Sequence, residues 1–86
     1  MKIVFSENAW EDYLYWQNHD RNHVKKINES IKDICRTPFT GIGKPEPLKY
    51  HLAGFWSRRI SEEHRLVYAV DNNELLIAAC RYHYGQ

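Results

Sequence analysis

Residues 55–82 read FWSRRISEEHRLVYAVDNNELLIAACRY. The apolar and aromatic runs Phe55–Ile60, Leu66–Val70 and Leu75–Tyr82 are parted by Ser61-Glu62-Glu63-His64 and by Asp71-Asn72-Asn73-Glu74. β-Branched and aromatic side chains favour a pleated backbone, and the Asn, Asp and Ser clusters between them favour reversals. The pattern predicts hairpin-connected antiparallel strands, with Leu48–Leu52 as a further strand before a turn at Ala53-Gly54. Immediately upstream, Pro38-Phe39-Thr40-Gly41-Ile42-Gly43-Lys44-Pro45-Glu46-Pro47 lacks a backbone donor at its three prolines and has permissive backbone at its two glycines, so it reads as a loop.

Further back, Val24, Ile27, Ile31 and Ile34 fall on one helical stripe, with Lys25, Lys26, Glu29, Lys32 and Asp33 on the remaining arc, and Thr37-Pro38 ends the run. Asp20 is placed to cap that helix. Trp10, Tyr13 and Leu14, widened by Tyr15 and Trp16, recur at helical spacing in an earlier helix, which Ser6 caps and which ends at Asn18-His19-Asp20. Ile3-Val4-Phe5 precedes it as a short strand. The expected class is α+β: an N-terminal strand, a two-helix hairpin, and a C-terminal antiparallel sheet whose edge the first strand can join, with the helices on one sheet face.

Eighty-six residues suffice for one domain, and a hydrophobic share of 43% with a charged share of 27% excludes a disordered or collagen-like chain. Twelve Lys and Arg against eleven Asp and Glu leave a net charge of +1, so any basic footprint is local. Aromatics make up 14% of the chain and supply much of the area that so small a core can bury, and a second copy of the chain would add to it. Cys35 and Cys80 sit among apolar residues in neither a CxxC pair nor a disulfide framework, which fits a reduced cytoplasmic protein. The N-terminus turns polar after three apolar residues, too soon for an export signal or a membrane anchor.

Charge and aromatics interleave in the second half, where Lys44, Lys49, Arg58, Arg59, Arg65 and Arg81 alternate with Tyr50, Phe55, Trp56, Tyr68, Tyr82 and Tyr84. Cations that neutralise phosphates and rings that stack on bases suit single-stranded RNA, although such strands are more often solvated sheet faces. Glu46 is held between Pro45 and Pro47, in a segment too constrained to flex or to form a ladder. A carboxylate, an imidazole and guanidinium groups supply the base, the acid and the cations that RNA cleavage by its own 2′-hydroxyl requires. His83 ends the run Arg81-Tyr82-His83-Tyr84, whereas His19 and His23 flank a helix start as solvated side chains, and His51 and His64 lie at strand or turn edges. No cofactor or metal is expected, since phosphate-cradling glycines, a serine elbow, an acidic cluster and zinc-ligand spacing are all missing from the sequence.

The stretches Lys44–Lys49, Gly54–Ile60, Glu62–Val70 and Ala78–Tyr84, together with Asp12–Trp16 and Val24–Asn28, closely resemble the YoeB toxins of the RelE/ParE superfamily. The resemblance runs through almost the whole chain and implies a single RelE/YoeB-like toxin domain over residues 1–86. It further implies the toxin of a bacterial type II toxin–antitoxin module, a ribosome-dependent endoribonuclease that cuts mRNA in the A site and is partnered by a YefM-type antitoxin. Carried over residue by residue, it marks Glu46 as general base, His83 as general acid and Arg65 as the cation at the transition state. Lys49, Arg59 and Tyr84 match residues that bind or orient RNA, and Gly85 and Gln86 extend past the point where such chains commonly end. The competing readings are a ParE-like toxin that binds gyrase, and a catalytically silent ribosome- or RNA-binding module; Glu46 and His83 together favour the nuclease.

Strand arithmetic sets a condition on that site. A two-residue turn at Glu62-Glu63 would put Ile60 opposite Arg65 and send Arg59 to the other sheet face. Regular pairing from Asn72-Asn73 would likewise pair Arg65 with Cys80 and turn His83 away. The site therefore requires an odd-length loop, a bulge or a departing tail.

Overall fold

The computed structural model describes residues 1–82. The chain runs β1 (Lys2–Phe5), α1 (Glu7–His19), α2 (Arg21–Arg36), β2 (Glu46–Pro47), a 3₁₀ turn at Tyr50–Leu52, β3 (Trp56–Arg59), β4 (Arg65–Asp71) and β5 (Glu74–Ala79). Both helix starts follow from local chemistry. The Ser6 hydroxyl accepts the Ala9 N–H at 3.0 Å, and the Asp20 carboxylate accepts the amides of Asn22 and His23. Thr37, just before Pro38, closes α2 by donating its N–H to the Asp33 carbonyl at 2.8 Å.

Among the described residues the sheet has the order β1-β5-β4-β3-β2. β1 lies parallel to β5 and the remaining pairings are antiparallel. The expected C-terminal sheet with β1 at its edge is therefore observed. Leu66, Tyr68, Leu75 and Ile77 are buried on one face against Ala9 and Trp16 of α1 and Ile27, Ile31 and Ile34 of α2. Fully burying aliphatic side chains of this size stabilises by about 1.5–3 kcal/mol each. Asn72 and Asn73, both at positive φ, make the two-residue turn between β4 and β5.

Four expectations of the sequence are corrected. Leu48–Leu52 is not a strand: Leu52 donates to the Lys49 carbonyl and Ala53 to that of Tyr50, closing a 3₁₀ turn, and Tyr50 takes a left-handed φ of 58°. Glu46 does pair, with Ser57, while Pro47 pairs with Trp56; a proline is tolerated because β2 is the sheet edge. β5 ends at Ala79 rather than Tyr82. Cys35 is exposed, whereas Cys80 is buried, and burial, with a smaller contribution from the Asp12 carboxylate, pushes the Cys80 thiol up to about 12.

The bulge that the strand arithmetic asks for lies in β5. Tyr68 pairs with Ile77 but Val67 pairs with Ala79, so Ala78 is the inserted residue. The start of α1 satisfies the displaced backbone: Ser6 donates its N–H to the Ile77 carbonyl and its hydroxyl to the Ala78 carbonyl, both at 2.9 Å. Further along α1, Asp12 accepts the Cys80 N–H at 3.0 Å and the Trp16 indole donates to the Cys80 carbonyl at 2.8 Å. Burial pushes the Asp12 carboxyl up, against the opposing effect of that Cys80 hydrogen bond. One helix thus dictates where the end of β5 points.

Candidate active site

The helix-covered face of β3 determines what its other face can present. Arg58 falls on the same side of the strand as Trp56 and Ile60, so period two turns it toward the helices, where it is completely buried. Its guanidinium donates to Asp33 Oδ2 at 2.6 Å, to the Tyr68 hydroxyl at 3.2 Å, and to the carbonyls of Thr37, Pro38, Thr40 and Ile42. The Tyr68 hydroxyl donates to the Pro38 carbonyl at 2.7 Å, and Asp33 also accepts the Ile42 N–H. The Arg58 hydrogen bond, followed by that of Ile42, holds the Asp33 carboxyl below the usual carboxylate range. Arg58 and Tyr68 therefore leave the set of RNA-facing groups, and Asp33 leaves the solvated arc of α2. The period-two alternation was the signal that could have placed Arg58.

This network staples residues 37–42 to the sheet, and the stapled loop delivers Glu46. At Gly41, φ 118°, a side chain would collide with the Asp33 carboxylate. At Gly43, φ 78°, the carbonyl accepts the Arg59 N–H at 2.7 Å, and a Cβ would press on the Arg59 backbone at 3.1 Å. Lys44 follows, exposed and also left-handed, and Pro45-Glu46-Pro47 then enters the edge of the sheet.

On the face turned away from the helices the register brings three of the expected residues together. Glu46 pairs with Ser57, Ser57 pairs with Val67, and two residues beyond Ser57, Arg59 stands directly opposite Arg65. The five residues between Arg59 and Arg65 are the odd-length loop that puts both arginines on one face. Ile60 donates to the His64 carbonyl, while the Arg59 amide points to Gly43 and the Arg65 amide to Tyr82. Arg59 and Arg65 are thus a non-hydrogen-bonded pair, the arrangement with the shortest side-chain approach, about 4.5 Å between Cα atoms. Two like charges so placed repel. The Arg65 Nη1 is held by the carbonyls of Ser61, Glu62 and His64 at 2.7, 3.0 and 3.1 Å, so this guanidinium is aimed by the loop. Arg59 and Glu46 are exposed, and Lys49, also exposed, precedes the 3₁₀ turn that continues from β2. One sheet face thus carries both a cation pair and a carboxylate, which suits a phosphodiester with an ionisable hydroxyl next to it.

His83 and Tyr84 lie outside the described residues. Arg81 stacks its guanidinium on the Tyr15 ring at 3.5 Å. His23 is not solvated: it stacks on Trp16 at 4.2 Å and pairs with Asp20 at 2.8 Å. His64 faces the Trp16 ring edge-on at 4.7 Å.

Residues 5–84 match the family described as the YoeB-like toxin of bacterial type II toxin–antitoxin systems. The chain belongs to this family. It is 71% identical over 84 residues to Toxin YoeB of Escherichia coli strain K12, covering 98% of this chain and 100% of that one. A YoeB/ParE toxin from Agrobacterium tumefaciens superposes with a TM-score of 0.95 at 51% identity, over 98% of this chain and 100% of that one. A YoeB–YefM complex from Staphylococcus aureus contains a chain with a TM-score of 0.90 at 55% identity, over 98% of each. At 18% identity the YafQ fold of E. coli, TM-score 0.75, shares the architecture. The sequence relationship spans β2, β3 and β4, so this YoeB-like toxin carries its Glu46, Arg59 and Arg65 within the family's matched region. No helix among the described residues is long and apolar enough to cross a membrane.

Proposed function

We propose that this YoeB-like toxin is a ribosome-dependent mRNA endonuclease that cuts in the A site of the 70S ribosome and so blocks translation in the bacterial cytoplasm. The observation that supports the reading most directly is the facing pair Arg59 and Arg65 on the same sheet face as Glu46. Two arginines set opposite each other repel in the free toxin, and an RNA phosphate between the two relieves it. Glu46 takes the proton of the 2′-hydroxyl, Arg65 stabilises the charge that develops on the phosphorane, and His83 protonates the leaving 5′-oxygen. Free glutamate, with a pKa of roughly 4.3, is a weak base at neutral pH, so the reaction depends on geometry supplied by the A site. Lys49, Arg59 and Tyr84 hold the mRNA. The products are a 2′,3′-cyclic phosphate and a 5′-hydroxyl.

The partner in this reading is a YefM-type antitoxin, because the related toxin of S. aureus is found in complex with YefM. A second copy of the chain is the other partner, since a relative from the same organism is found as a dimer. The deciding experiment maps mRNA ends after the toxin is added to programmed ribosomes. Discrete cuts inside the A-site codon bearing cyclic-phosphate and 5′-hydroxyl ends are expected. Cuts equally abundant in untranslated RNA would refute ribosome dependence, and ends with 5′-phosphate and 3′-hydroxyl would refute the 2′-hydroxyl chemistry.

A further inference from the structure

The imidazole of His64 has no part in the chemistry above, yet it makes the shortest contact to the chain where β5 has ended. Its Nδ1 lies 2.7 Å from the Tyr82 backbone nitrogen. A backbone amide can only donate, so Nδ1 must accept, and the neutral ring carries its proton on Nε2. Burial pushes the His64 pKa down; His23, Arg81 and Arg65 add to this and Glu63 opposes it. The ring is flanked by Trp16 of α1, His23 of α2 and the Tyr82 ring, at centroid distances of 4.7, 5.6 and 5.6 Å. Its own backbone is fixed too, with its N–H on the Ser61 hydroxyl and its carbonyl taken by Ile60 and Ser61.

Tyr82 is gripped a second time, because its carbonyl accepts the Arg65 N–H at 3.0 Å. Between these two contacts its φ is 68°, a left-handed conformation that is costly for a tyrosine. Such a conformation persists only where its surroundings over-determine it. Tyr82 as a residue is more than half exposed, and its ring lies against the His64 ring and the Arg81 guanidinium. The two hydrogen bonds, made with consecutive residues His64 and Arg65, act directly on its backbone.

We propose that His64 is a positioning residue: its Nδ1 and the neighbouring Arg65 N–H clip Tyr82 into a left-handed turn, fixing the backbone of the residue that precedes His83 in the sequence. This rests on the nuclease reading, in which residue 83 is the general acid. The loop that aims the Arg65 guanidinium thereby also holds the residue that immediately precedes the proposed general acid.

The test compares full-length wild type, His64→Asn and His64→Phe. Asparagine offers its side-chain oxygen near the place of Nδ1, whereas phenylalanine keeps the ring packing and removes the acceptor. His64→Phe is expected to slow single-turnover cleavage on programmed ribosomes by about 10–100-fold while ribosome affinity stays within about twofold. His64→Asn should recover most of that loss. Hydrogen exchange at the Tyr82 amide should be faster in His64→Phe and close to wild type in His64→Asn. Equal cleavage by His64→Phe and wild type, no recovery in His64→Asn, or unchanged Tyr82 exchange would each overturn the clip. If wild type does not cleave at all, the nuclease reading fails, and the exchange rates still decide whether His64 holds Tyr82.

Discussion

Arg58 and Arg59 are neighbours of one residue type in one strand, and they live in opposite environments. Arg58 is fully buried, its donors spent on Asp33, Tyr68 and four loop carbonyls. Arg59 is exposed and faces another arginine. A guanidinium removed from water must find acceptors for its five N–H groups, and the chain end of α2 with its following loop supplies them. On the other face the charge is left to water and to whatever anion arrives. The strand separates a structural cation from a solvent-facing one by one step of the pleat, and the structural one builds the loop that brings Glu46 to the face of the other.

The sharpest way to break this division is at Glu46. Glu46→Gln keeps shape and loop but removes the proposed base, so cleavage on programmed ribosomes should fall on the order of 10²–10⁴-fold with the melting temperature unchanged. An equal loss of melting temperature would mean that Glu46 belongs with Arg58 rather than with Arg59. Next in size is the contrast within the pair itself. Arg58→Leu takes one donor from the Asp33 carboxylate, which keeps those of Ile42 and Arg36, and one from each of four loop carbonyls, and thermal denaturation should shift down by about 15 °C or more. Arg59→Leu should stay within about 3 °C of wild type in the same measurement. Similar shifts for the two variants would erase the distinction.

A smaller effect is expected in binding. Arg59→Ala and Lys49→Ala should each weaken ribosome–mRNA association and flatten its logarithmic salt dependence by about 0.7, the share of one phosphate contact on a single strand. A salt slope identical to wild type would remove that side chain from the RNA contact. The smallest effect sharpens the buried side. Asp33 is held below its ordinary pKa, so the unfolded chain binds that proton more tightly than the folded one. Its contribution is complete above the unfolded-state value and drains as pH falls through the depressed folded value. Melting temperature should therefore drop on acidification below about pH 4, and Asp33→Asn, less stable throughout, should show a shallower acid limb. A limb of equal slope in both proteins would assign acid sensitivity to other carboxylates.

Local signals carried a good part of the fold. Ser6 and Asp20 cap helices, Thr37-Pro38 stops one and Asn72-Asn73 turns a hairpin, because each depends on hydrogen bonds or φ preferences within a few residues. The stretch Leu48–Leu52 misled for the same reason: an apolar run between turns has no period of its own, and its neighbours fold it into a 3₁₀ turn.

The sequence by itself therefore determined the order of strand, helices and sheet, the constrained setting of Glu46, and the need for an irregularity if Arg59 and Arg65 were to share a face. It determined these because caps, prolines and period-two runs act over short distances. That Arg59 and Arg65 share a face was decided by tertiary structure, by the five-residue loop whose closure leaves them opposite each other, and the end of β5 was set by a bulge at Ala78 whose carbonyl is satisfied by Ser6, 72 residues away in the chain. The burial of Arg58 with Asp33 and the grip of His64 on Tyr82 are likewise meetings between distant segments, 25 and 18 residues apart. A side chain's partner across that distance exists only once the helices have packed on the sheet, and no local preference of the backbone encodes it.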